Sequence, residues 1–151
     1  MINLLIVLFL SSSSVSDDVS IFVEEPHEHA WTDIYRTDER HLQYDANYLS
    51  DGLVNGQTYP IALVRSVLRS AKNVDTPIRV AIARDVRVAV DCENSSSTPI
   101  ESQVWNREKG EYEILTFPEP QFEALLPENK ELLAPLYRHV CGTNWTLIGN
   151  P

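Results

Sequence analysis

The sequence predicts an α+β fold, an antiparallel β-sheet with a C-terminal helix packed on it, closed by one disulfide. Three observations predict it. Ile78, Val80, Ile82, Val86, Val88, Val90 and Cys92 share one parity, while Arg79, Asp85, Arg87 and Asp91 occupy the other, as a half-buried strand requires. Beyond "PEPQ" the period becomes helical, with Leu132, Leu133, Leu136, Tyr137 and Val140 on one apolar stripe. The chain has 2 cysteines, Cys92 and Cys141, and they end those two segments.

A chain of 151 residues with 43% hydrophobic and 23% charged residues suits one domain with a single core. "MINLLIVLFL" followed by "SSSSVS" reads as a secretion signal over residues 1–16. The apolar run falls short of the roughly 20 residues that span a bilayer, so no membrane span is expected. An uncleaved apolar strand or a misplaced start codon is the alternative. Residues 17–30, containing "EEPHEHA", read as a mobile acidic lead-in that promises little packing. The folded domain is then residues 31–151.

In that domain, "WTDIYRTDERHLQYDANYL" reads as two short strands separated by a polar turn. Asp51-Gly52 and Asn55-Gly56 both offer the positive backbone angles of tight turns, so a meander or hairpin follows. "PIALVRSVLRS" carries apolar residues on both parities, as a strand covered on both faces or a short helix would, and its β-branched content favours the strand. Arg84 interrupts the next alternation. Parity is unchanged across it and neither Gly nor Asn is there to build a turn, which favours one long bent strand. "ENSSSTP" reads as loop, and "IESQVWN", "REKG" and "EYEILTF" as strand, turn and strand. Pro127 suits the opening turn of the last helix, and Pro135 implies a kink or a fresh start. That helix should deliver Cys141 to the sheet.

An exported chain meets an oxidising compartment, where two cysteines allow one pairing, Cys92 with Cys141. Closing that loop would stabilise the fold by about 4 kcal/mol in the chain-entropy model. Two separate buried thiols are the alternative. With 22 acidic against 12 basic residues the net charge is −10, a field that repels phosphate backbones. Nucleic acid is therefore not an expected partner; the balance suits encounter with a basic protein, although acidity is more often a solubility feature.

Taken in order, "WTDIY", "LQYDANYL", "PIALVRSV", the strand ending Asp-Cys in "VAVDCE", and the helix ending in cysteine in "LYRHVC" resemble the bacterial surface-adhesin protein E family over about residues 31–141. The resemblance implies an exported antiparallel sheet with a helix, closed by the Cys92–Cys141 bridge. It also implies a protein-binding role at the periplasm or cell surface, with host matrix or serum proteins as partners and a homodimer as the assembly. The family's basic ligand segment has no counterpart here, so its binding does not transfer residue by residue.

Among candidate chemistries, His27 and His29 with Glu24, Glu25 and Glu28 have the residue types that hold zinc or copper. Two histidines two apart in a mobile segment fix no geometry, so the segment reads as solvated and neither metal nor cofactor is expected. His41 and His139 stand apart from other ligand types, and His139 near a helix C-terminus complements the helix dipole. "NSSST" lacks a nucleophile elbow, and 5 glycines in all include no phosphate-binding loop. The chain reads as a non-enzyme. Arg79 and Arg87 on the polar face of the long strand, with Trp105 in the next, form the candidate binding surface, because arginine and aromatic groups dominate binding hot spots. Cross-strand pairing of those arginines with acids such as Asp85 and Asp91 is the plainer reading. Asn94 and Asn144 sit in glycosylation acceptor triplets that matter only in a eukaryotic secretory pathway. The expected function is an exported, non-enzymatic protein-binding domain. The alternative is an acidic inhibitor or immunity protein that blocks a basic secreted enzyme.

Overall fold

A computed structural model describes residues 27–69, 81–106 and 108–146. The expected signal peptide, most of the lead-in and Arg79 lie outside the described residues. Among the described residues, eight strands form one antiparallel sheet: β1 (Trp31–Arg36), β2 (Arg40–Asp45), β3 (Ser50–Val54), β4 (Gln57–Arg69), β5 (Ala81–Asp91), β6 (Ser96–Asn106), β7 (Glu111–Thr116) and β8 (Glu123–Ala124). Their order is β1-β2-β4-β5-β6-β7, with β3 continuing the β2 edge of β4 and β8 pairing with β6. A 3₁₀ turn, Pro127–Asn129, leads into the one helix among the described residues, α1 (Lys130–Cys141). The α+β expectation, mostly β, is what the structure has.

Strand β4 is the spine. Its two halves pair on one edge with β3 and β2, and its whole length from Ile61 to Arg69 pairs on the other with β5. Because side chains alternate, Ala62 and Val64 face α1 with Val86, Val88 and Val90, and Leu133, Ala134, Leu136 and Tyr137 of the helix close that layer. Ile61, Leu63 and Ala89 point the other way and pack with Tyr48 and Val54. Burial on both faces explains why this strand carries an apolar run instead of alternation.

Local chemistry fixes the connections. Asn55 and Gly56 both have positive φ, 51° and 82°, which is the backbone of a tight hairpin turn between β3 and β4. Asp51-Gly52, expected as a turn, instead lies inside β3. There Gly52 pairs with Tyr59, and a Cβ would come within 3.0 Å of the buried Ile61 side chain, so the glycine serves close packing. "ENSSSTP" also departs from expectation, because Ser96, Ser97 and Thr98 already belong to β6. The turn is shortened by Asp91, whose Oδ1 accepts the N–H groups of Glu93 and Asn94, each at 3.1 Å. Arg84 breaks nothing, since β5 runs in unbroken register with β4 through it.

Helix α1 is continuous through Pro135. A proline there removes one helical bond, and burial of Leu133, Ala134, Leu136 and Tyr137 of the same helix offsets the loss. Gly142, at φ 104°, ends the helix and donates its N–H to the Arg138 carbonyl. The disulfide joins Cys141 at the last helical residue to Cys92 just beyond β5, with Cα atoms 5.6 Å apart. It ties the helix end to the sheet, as expected. His139 adds a second tie, donating from Nε2 to the Tyr48 carbonyl at 2.8 Å.

Candidate functional site

The sheet face opposite α1 carries the polar groups, and they concentrate where the chain enters β1. Residues 27–30 extend the line of β1 past its first residue: the Ala30 carbonyl accepts the Ala46 N–H at 2.9 Å, and Asn47 Nδ2 donates to the Glu28 carbonyl at 2.8 Å. In extended backbone, residues two apart point to the same side, so the spacing of His27, His29 and Trp31 puts all three rings in one row. This end of the lead-in, read from the sequence as solvated, is held against the fold.

Asp45 lies beneath that row. The β1–β2 register shifts by one residue between Asp33 and Tyr35, after which Trp31 pairs with Asp45. A one-residue shift changes which side chains share a face, and here the extra residue lies in β1, which brings Trp31 to the face of Asp45. The carboxylate is fully buried. Oδ1 accepts the N–H groups of Ala30 and Asn47, each at 2.9 Å. Oδ2 lies 2.7 Å from His27 Nε2 and 2.7 Å from His29 Nδ1. An ionised carboxylate only accepts, so both facing ring nitrogens donate. Burial pushes the Asp45 carboxyl up, and the bonds from Ala30, His27, His29 and Asn47 more than reverse it, holding the group well below the usual carboxylate range.

A second row adjoins the first. The His29 ring stacks on Trp31 at 5.2 Å, and the Arg65 guanidinium lies 4.1 Å over the same indole. Arg65 is clamped from behind by Asp85 on β5. Arg87, the one arginine of the expected pair within the described residues, donates from Nε to the Tyr48 hydroxyl at 2.9 Å and sits 3.5 Å from Glu101. Tyr48 in turn lies 5.7 Å, ring to ring, from His27. The surface is a half-buried, internally paired set of two arginines, two histidines, a tryptophan and a tyrosine.

The structure thus divides the residues singled out from sequence. Arg87 joins the row, and its acidic partner is Glu101, while Asp85 belongs to Arg65 and Asp91 caps a turn. Trp105 lies in β6, its backbone paired with Tyr112, and its side chain is outside the described residues. Among the described side chains, Trp31 meets an arginine, Arg65. Asp45 and Tyr48 were not among the candidates. The signal for Asp45 was faint: an acid two places beyond Gln43 in a strand whose Leu42 and Tyr44 hold the opposite parity.

No family model, curated protein or solved structure matches the chain. Among the described residues, no helix is long and apolar enough to cross a membrane.

Proposed function

We propose that the chain is an exported, non-enzymatic binding domain of the surface-adhesin protein E type, working in the periplasm or at the cell surface, and that it binds another protein through the row around Trp31. The observation that carries this reading is the preformed stack of His29, Trp31 and Arg65, locked by Asp85. Aromatic and guanidinium groups supply most of the energy at protein interfaces, and groups already ordered in the free protein lose little entropy on binding. The Cys92–Cys141 bridge supports export, since such bonds persist where the surroundings are oxidising.

The test is capture from envelope extract and from serum by the immobilised full chain, at low salt and at about 1 M salt, where the Debye length is about 3 Å. A protein retained at both salts and lost with Trp31→Ala, folded by circular dichroism, is the expected result. Capture of a basic enzyme alone, released by salt, would favour the inhibitor reading driven by the net charge of −10. No capture from either source would overturn the proposal.

A further inference from the structure

We infer that His27, His29 and Asp45 form a binding site for one divalent late first-row transition-metal ion of the zinc class. The inference goes beyond the protein-binding reading and stands without it.

The donor set and its placement carry the case. One ligand atom from each residue lies within 4.8 Å of the others, and His27 Nε2 and His29 Nδ1 are each 2.7 Å from Asp45 Oδ2. Two imidazoles and one carboxylate suit zinc, nickel or copper, whereas calcium and magnesium take oxygen ligands almost throughout. The carboxylate is already divided in function. Oδ1 is held by two backbone N–H groups, which fix the orientation of the carboxylate, and Oδ2 points at both rings. Outer partners of this kind aim a ligand at its metal. The rings are steadied as well: His29 lies against Trp31, and His27 meets His29 edge-on at 4.5 Å between centroids.

Charge gives the ion a reason to be there. The fully buried carboxylate is met by N–H groups of Ala30, Asn47, His27 and His29, and a dication at Oδ2 would put full charge where the two rings now offer hydrogen bonds. Zinc takes nitrogen at about 2.0–2.1 Å and oxygen at about 2.0–2.2 Å, so the 2.7 Å contacts open by under about 1 Å to admit it. On binding, the ring nitrogen that faces Asp45 gives up its proton, to the other nitrogen of the ring or to solvent, and presents a lone pair to the ion. Both rings are partly exposed, with His29 at 36% and His27 at 23%, so an ion has a way in and a fourth position toward solvent.

The experiment is calorimetric titration of zinc chloride into the tag-free, chelator-treated full chain. One zinc per chain is expected, with a rise in thermal midpoint as zinc is added, and with no saturable binding of magnesium or calcium. His27→Gln and His29→Gln should each weaken zinc by at least about tenfold, the lower end of what losing even an outer partner costs. His41→Gln and His139→Gln should leave it unchanged. Asp45→Asn should abolish it; if that variant does not fold, the two histidine variants decide, because their rings are partly exposed and lie before the first strand. Absence of saturable zinc binding, equal affinity in the His27 and His29 variants, or an equal loss in the His41 control would each overturn the site.

Discussion

Arg65 and Asp85 face one another across β4 and β5 and are joined by two bonds, from Nε at 2.7 Å and from Nη2 at 2.9 Å. The fork fixes the guanidinium plane, and that plane is what lies over Trp31. The Asp85 carboxylate raises the Arg65 pKa, with burial opposing it. Both side chains are partly exposed, so solvent screens the pair. Its coupling in a double-mutant cycle of Arg65→Ala and Asp85→Ala should be about 0.5–1 kcal/mol, the range of well-formed surface pairs. Arg65→Lys should recover little of it, because an ammonium has no fork and no face to stack. Urea unfolding of the four proteins measures this, and coupling indistinguishable from zero would show that the pair does not hold the row.

The Cys92–Cys141 bridge closes a loop with a sequence separation of 49. The chain-entropy model assigns such a loop about 4 kcal/mol, a large part of a stability of about 5–15 kcal/mol. Cys92→Ala together with Cys141→Ala should therefore lower the urea midpoint sharply, and reduction of the native chain should match it. A drop below about 1 kcal/mol would mean that the helix end is held by its apolar face and the His139 bond alone.

Tyr137 lies almost fully buried under the sheet, stacked on Trp145 at 4.8 Å. Burial pushes its phenol pKa up, a bond with Ser97 opposes this, and the Asp91 charge adds to the rise. Above about pH 10 the unfolded chain gives up this proton while the native chain keeps it, so the contribution is complete below about pH 10 and is lost as pH rises toward the native value. The slope from this group is at most about 1.4 kcal/mol per pH unit. Tyr137→Phe should flatten the alkaline limb of stability against pH relative to the parent; parallel limbs would show that other groups carry it.

Much of this architecture was legible in the sequence because it rests on local period. The parity of Val86, Val88 and Val90 against Asp85 and Arg87 names the two faces of β5, and both are occupied as read. Where the reading missed, a short-range preference met a tertiary demand. Asp51-Gly52 has turn composition, yet Ile61 needs the space that a missing side chain leaves. "ENSSST" has loop composition, yet its serines and threonine are buried where β5 and β8 flank the start of β6.

By itself, the sequence determined the alternating strands, the terminal helix and the identity of the bridge, since a period of two, a period near 3.6 and a count of two cysteines need no knowledge of distant neighbours. Tertiary structure alone decided what the polar face holds. His27 and His29 reach Asp45 across sequence separations of 18 and 16, and they do so because β1 slips one residue against β2 between Asp33 and Tyr35. Strand register is set by the summed packing of both faces of the sheet, and no window of sequence short enough to show a period contains that sum.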